Sequence, residues 1–221
     1  MKVGIIGSGS MGSGIAQVAA IAGCEVKIYD ADAFAVKRAL QNIGKSLSKL
    51  VEKGIVIARN EATEGVASDI MSRLKPAERL SSLGDSDLII EAIIEDLDVK
   101  KSIFAEVEMD VSDTCILATN TSSLSITSIA AACQKPERVI GIHFFNPATF
   151  MPLVEIIPAI QTDPSVLLRS TNILKSWGKT TVQAKDTPGF IVNRIARPFY
   201  GEALRIFEEG IADIREVSNP A

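Results

Sequence analysis

Apolar residues are distributed along this chain in two alternating rhythms. Short, nearly continuous apolar runs recur: "KVGII" (2–6), "EVKIYD" (25–30), "DLIIEAI" (87–93), "TCILATN" (114–120), "RVIGIHFF" (138–145), "LVEIIPA" (153–159) and "TTVQAKD" (180–186). Runs that are apolar on both faces belong to strands of a sheet covered on both sides. Between them lie longer stretches at helical spacing, including "GIAQVAAIA" after the first strand, "LDVKKSIFAEVEM", "SITSIAAAC" and "PSVLLRSTNILKSWGK". Gly23 is the expected stop of the first helix.

Strands alternating with helices predict an α/β fold: a Rossmann-type doubly wound, mostly parallel sheet. One stretch interrupts the alternation. A long helix is predicted from Asp32 to about Lys53, with a helix-turn-helix excursion continuing to Leu74. A second break comes at "KDTPGF" (185–190), where Pro188 and Gly189 punctuate the chain. "FIVNRIARPFYGEALRIFEEG" then reads as one helix outside the sheet, bent where Pro198 removes a hydrogen bond. The expected division is therefore a nucleotide-binding domain over 1–187 and the first helix of an all-α domain over 188–221. No period is evident after Gly210.

Composition narrows the class. The 221 residues are 47% hydrophobic, ample for a core, and 23 basic residues against 27 acidic ones give a net charge of −4 with no basic cluster. Nucleic acid and anionic membrane are therefore not the expected partners. Cys24, Cys115 and Cys133 are odd in number and show no C-x-x-C spacing, which points to free thiols in a reducing compartment and offers no metal site. The chain runs from Met1 straight into a strand, and no apolar run approaches the ~18 residues of a membrane span. A cytoplasmic protein is expected.

Four places carry candidate chemistry. "GSGSMG" supplies the G-x-G-x-x-G pattern as Gly7, Gly9 and Gly12, with Ser10 and Met11 between them. In that pattern the first glycine makes the tight turn, the second admits a pyrophosphate, and the third allows helix and strand to pack closely. The motif follows a predicted strand, opens a predicted helix and lies 18 residues before Asp30, which closes the next strand. A carboxylate there accepts from ribose hydroxyls and repels a 2′-phosphate, which favours NAD over NADP. "ATNTSSLSIT" places hydroxyl and amide groups at the end of an apolar strand, where such sheets bind ligands; helix capping by Ser122, Ser123 or Ser125 is the alternative.

The third is "GIHFFNPATFMPLVEII" (141–157), which holds His143, the one histidine in the chain, and Glu155 inside an apolar run. A carboxylate between Val154 and Ile156 needs a hydrogen-bonding partner to be buried. A lone histidine is more often structural than catalytic. Here two strands turning through Pro147 and Pro152 bring Glu155 to one imidazole nitrogen and leave the other free, the arrangement of a base and its orienter. Histidine is also the side-chain type that exchanges its proton near neutrality. The fourth is Asn193, which shares a helix face with Arg194 and Arg197, opposite Phe190, Ile191, Val192, Ile195 and Phe199; its meaning depends on what that face looks toward.

Taken together, "VGIIGSGSMGSGIAQVAA", "EAIIEDLDVKKSIF", "TNTSSLSITSIA", "GIHFFNPATFMPLVEII" and "KDTPGFIVNRI" resemble, in order and spacing, the L-3-hydroxyacyl-CoA dehydrogenases of fatty-acid β-oxidation and related acyl-CoA pathways. The resemblance extends from residue 1 to about 210. It implies that His143 is the catalytic base, Glu155 its orienting carboxylate, Ser122 a group near the substrate oxygen and nicotinamide, and Asn193 a holder of the substrate's reacting groups. It places Gly7, Gly9, Gly12, Asp30, Glu95, Lys100 and Asn146 at NAD, and Ser46 and Lys53 at coenzyme A. The implied reaction is reversible hydride transfer between a 3-hydroxyacyl-CoA and NAD.

Members of that family continue with further helices that the chain is expected to lack. A helix exposing Phe190, Ile195, Phe199, Leu204 and Phe207 is then expected to pair between chains, giving a homodimer or a higher homo-oligomer. Two rivals stand beside this reading. One is a gulonate-type hydroxyacid dehydrogenase without CoA, which shares the histidine and glutamate; the other is an NAD-binding module without turnover.

Overall fold

The computed structural model describes residues 1–54 and 65–218. Eight strands form one sheet: β1 (Lys2–Ile6), β2 (Glu25–Tyr29), β3 (Leu74–Pro76), β4 (Leu88–Glu91), β5 (Ile116–Thr119), β6 (Val139–Phe144), β7 (Leu153–Pro158) and β8 (Thr180–Gln183). Their spatial order is β3-β2-β1-β4-β5-β6-β7-β8. All neighbours pair in parallel except β6 and β7, which are antiparallel. The chain leaves β1 toward one edge and returns to start β4 on the other side. The crevice between the carboxyl ends of β1 and β4 is therefore the topological switch point, where ligands of such sheets bind.

Helices cover both faces. On one side α1 (Ser10–Ile21), α2 (Ala33–Glu52), α3 (Val66–Ser72) and α6 (Pro164–Ser176) pack over Ile5, Ile28, Ile90 and Ile142. On the other, α4 (Leu97–Glu108) and α5 (Ile126–Ala130) cover Ile6, Ile89, Leu117 and Ile157. Strands β4, β5 and β6 are buried along their whole length, which is why their sequences read as continuous apolar runs. The first helix ends at Ile21 with Ala22 as its C-cap, and Gly23 follows at φ 91°, the left-handed position that suits glycine after a helix.

The sequence pattern misses two kinds of element. Strand β3 is three residues long, and a 3-10 turn over Leu80–Leu83 follows it; neither is long enough to show a period. The loop of the expected helical excursion lies outside the described residues, while its flanks, α2 and α3, are helical. After the sheet, α7 (Val192–Glu208) contains Pro198, and a short α8 (Ile214–Ser218) occupies the stretch that showed no period. Among the described residues no helix is long and apolar enough to cross a membrane.

One expectation about α7 needs correction. Phe190 is not on its exposed face: it precedes the helix, is buried, and faces the imidazole of His143 at 5.6 Å between ring centroids. Ile195, Phe199 and Leu204 are exposed, at 70%, 72% and 64%.

Candidate active site

The turn between β1 and α1 is shaped by three glycines with three different environments. Gly7 has φ 100°, and a Cβ there would stand 2.6 Å from the carbonyl oxygen of Ala92. At Gly12 a Cβ would lie 1.9 Å from the Gly7 carbonyl, so α1 starts hard against the turn. A Cβ on Gly9 would meet nothing within 4 Å. Gly9 is also the N-cap of α1 and carries no capping side chain, so open space lies beside backbone amides at a helix N-terminus. That is the environment an anionic group requires.

Asp30 stands at the end of β2 beside this turn. Its Oδ2 accepts from the Ser8 amide at 2.7 Å and the Ser8 hydroxyl at 2.8 Å, and its Oδ1 from the Asp32 amide at 3.0 Å. Burial pushes the carboxyl upward, but the Asp32 and Ser8 hydrogen bonds and the Arg38 charge outweigh it and hold Asp30 below the usual carboxylate range. A recess of about 540 Å³ opens next to it, walled by Ile93, Ile94, Val99 and Ile103 and reached from Gly7 and Gly9. An apolar slot with a carboxylate at its rim fits an adenine ring and its ribose.

A second recess, of about 620 Å³, opens from the same Gly9 toward the antiparallel pair β6 and β7. Its wall brings together Ser10, Met11, Glu95, Lys100, Ser122, His143, Asn146 and Asn193, which are distant in sequence. Register explains the centre of it. His143 is directly opposite Glu155 in the antiparallel ladder, so both side chains leave the same face of the sheet. The His143 Nδ1 and Glu155 Oε2 are 2.7 Å apart, and Glu155 is fully buried. The second oxygen, Oε1, accepts from the amides of Ile191 and Val192, each at 2.9 Å, at the start of α7. The glutamate in an apolar run is thus a carboxylate with partners on both oxygens.

The hydroxyl cluster after β5 divides into two roles. Ser125 caps α5 through the Ser128 amide at 3.2 Å, and Asp186 accepts from the Ser125 hydroxyl and from the Ile126 and Thr127 amides. Ser122 does not cap a helix; its amide donates to Glu95 at 2.8 Å. Glu95 also accepts from the Thr121 hydroxyl and lies 3.4 Å from Lys100 Nζ. Burial pushes the Glu95 carboxyl up, but the Thr121 hydroxyl, the Ser122 amide and Lys100 together hold it below its ordinary value.

On α7, Asn193 and Arg197 turn toward this recess, which answers what their face looks toward. Asn146 bridges outward, accepting from the Ser10 hydroxyl at 3.4 Å. A third recess, of about 650 Å³, runs from Ser8 and Gly9 along one face of α2 past Arg38 and Asn42 to Ser46. Ser46 accepts a hydrogen bond from Gln17 at 3.1 Å. Lys53 does not line this recess; it is exposed, seven positions further on at the end of α2.

The chain matches the 3-hydroxyacyl-CoA dehydrogenase NAD-binding domain over residues 2–187 and the C-terminal domain of the same enzymes over 189–219. It belongs to the 3-hydroxyacyl-CoA dehydrogenase family. This is a family of NAD-dependent oxidoreductases, and the open turn at Gly9 and the slot beside Asp30 fit that cofactor. Within the family, the chain is 45% identical over 210 residues to a 3-hydroxyadipyl-CoA dehydrogenase of Escherichia coli, covering 95% of the chain and 43% of that protein. It is 41% identical over 216 residues to a 3-hydroxybutyryl-CoA dehydrogenase of Bradyrhizobium diazoefficiens, covering 98% of the chain and 72% of the relative. A crystal structure of an Escherichia coli 3-hydroxybutyryl-CoA dehydrogenase superposes with a TM-score of 0.89 at 44% identity, covering 96% of this chain and 44% of that one. The chain thus spans less than half the length of the two Escherichia coli relatives.

Sequence reasoning overlooked three residues that hold these recesses together. Glu91, fully buried at the end of β4, meets Lys100 Nζ at 2.6 Å, the Thr119 hydroxyl at 2.7 Å and the Ile93 amide at 2.7 Å. The logic that singled out Glu155, a carboxylate inside an apolar strand, applies to it equally. Lys179 donates to the carbonyls of Ala148 and Met151 at 2.5 and 2.9 Å, pinning the loop that carries Asn146, and burial pushes its ammonium down. Asp186 ties α5 to the segment before α7. Neither of these last two has a local signal, because their partners are remote in sequence and are mostly backbone groups.

Proposed function

We propose that this chain catalyses the reversible NAD-dependent oxidation of an L-3-hydroxyacyl-CoA to the 3-ketoacyl-CoA, with His143 as general base and Glu155 as its orienter. The observation that carries the reading is the 2.7 Å contact between His143 Nδ1 and Glu155. It fixes the ring's Nδ1 on the carboxylate and leaves Nε2 as the nitrogen available to the recess shared with Ser122, Asn146 and Asn193. NAD, when bound, supplies the hydride acceptor.

The chain's own contribution is positioning and proton handling. His143 Nε2 takes the proton of the 3-hydroxyl, and Glu155 compensates the imidazolium that forms. Ser122 and Asn193 approach the same volume from opposite elements, the end of β5 and the start of α7, and hold the reacting oxygens. Glu95, Lys100 and Asn146 border the nicotinamide end, Gly7, Gly9 and Gly12 shape the pyrophosphate turn, and Asp30 takes the ribose. The recess along α2 supports a CoA-bearing substrate, with Ser46 on its wall and Lys53 beyond its end. In the same reading residues 1–187 are the NAD-binding domain and residues from 188 open the helical domain. The exposed apolar residues of α7 pair with a second copy of the chain, which light scattering of concentrated protein tests: a strictly monomeric species rejects the pairing.

The reaction is tested by mixing the protein with NADH and acetoacetyl-CoA and following nicotinamide absorbance, with NADH binding measured separately. Turnover supports the proposal. Binding without oxidation makes the chain an NAD-binding module, and activity on free hydroxyacids but not on CoA thioesters favours the gulonate-type reading.

A further inference from the structure

We propose that Phe190 and the two backbone amides after it are a positioning device through which the start of α7 sets the orientation and basicity of His143. The inference rests on the reading of His143 as the base. Gly189 and Phe190 both have positive φ, 77° and 46°. Glycine adopts that region without cost, whereas an L-residue there is strained and persists only where surrounding contacts hold it. Phe190 is held by burial, with its ring edge-on to the imidazole. Phe145 lies on the imidazole as well, its centroid 4.6 Å away.

The consequence of the left-handed turn is what it does to the next two peptides. It directs the N–H groups of Ile191 and Val192 onto Glu155 Oε1, while Oε2 faces His143. These amides belong to the first turn of α7, where helical N–H groups have no partner within the helix. Glu155 supplies one. The carboxylate is thereby shared between the base and the helix that carries Asn193, so displacing α7 removes two donors from the group that orients His143. Loss of a donor concentrates negative charge on the carboxylate and strengthens its hold on the imidazolium. The other charged groups facing the recess with His143 are Glu95, Lys100 and Arg197.

Because the chain has one histidine, its imidazole is read without ambiguity by ¹⁵N NMR of the untagged protein. The test replaces Val192 by its α-hydroxy analogue, which converts the amide to an ester and deletes one N–H while keeping the side chain. Titration of the imidazole is then compared with the pH profile of kcat/KM for acetoacetyl-CoA reduction. The expected result is an imidazole midpoint raised by about 0.5–1 pH unit, with the rate profile moving by the same amount and kcat changing more than KM for NADH. Phe190→Gly, which accepts φ 46° without a side chain, keeps the amides and is expected to move the midpoint less than the ester does. An unmoved midpoint and tautomer in the ester variant overturn the proposal. A moved midpoint with an unmoved rate profile supports the coupling and overturns the assignment of His143 as the base.

Discussion

Two carboxylates in this protein are equally buried and differ in the company they keep. Glu91, at the end of β4, and Glu155, in the middle of β7, both have no solvent exposure, and both accept from backbone amides. Glu91 faces the Lys100 amine and the Thr119 hydroxyl. Glu155 faces an imidazole that can gain and lose a proton. The difference teaches how one physical solution serves two ends. A buried carboxylate needs partners on its oxygens in either case. A lysine partner makes it a strut, whereas in the proposed reaction an imidazole partner makes it the orienter of a base.

The sharpest way to break this comparison is at His143. His143→Gln is expected to lower kcat by about 10²- to 10⁴-fold while NADH binding survives, measured by steady-state rates and by nicotinamide fluorescence. Unchanged turnover removes the functional half of the contrast. Glu155→Gln is expected to be nearly as harmful, because an amide at Oε2 no longer fixes the imidazole tautomer. Its signature is a large fall in kcat with little change in KM for NADH.

Glu91→Gln is expected to act on stability instead. It leaves Lys100 with a poorer partner in a buried site, a loss on the order of 3–5 kcal/mol in urea titration. If that variant keeps its stability and loses only kcat, Glu91 is no strut and the two carboxylates are alike. The smallest effect is expected at Asp186. Burial pushes its carboxyl up, and hydrogen bonds from Thr127, Ile126 and Ser125 outweigh that and bring it below the usual value. A group depressed in the folded state contributes stability above its unfolded pKa and loses it as pH falls through the folded one. Asp186→Asn is therefore expected to cost about 1–3 kcal/mol at pH 7 and to flatten the acid limb of the stability profile.

Much of this was legible along the chain, and the reasons are physical. Strands buried on both faces have to be apolar throughout, so β4, β5 and β6 announced themselves. A turn at φ 100° packed against a carbonyl requires glycine, so the turn at Gly7 did too. Glu155 was legible as a charge in the wrong surroundings. Glu91 carries the same mark, a carboxylate at the end of a fully buried strand. Ser122 and Ser125 differ in role although they are three residues apart, and only the positions of Glu95 and Asp186 separate them. The apolar residues after Pro188 read as one helix face, but a left-handed turn takes Phe190 off that face and into the core.

The sequence by itself determined the class of sheet, the glycine turn that opens the first helix, and the need for a partner at Glu155. These are properties of local backbone, periodicity and the cost of burying charge, and each is written within a few residues. Tertiary structure decided which groups meet: the antiparallel register that sets His143 against Glu155, the loop held by Lys179, and the α7 amides that complete the carboxylate's shell. Such contacts join residues 12 to 37 positions apart. They depend on how the elements stack, and no local pattern encodes that.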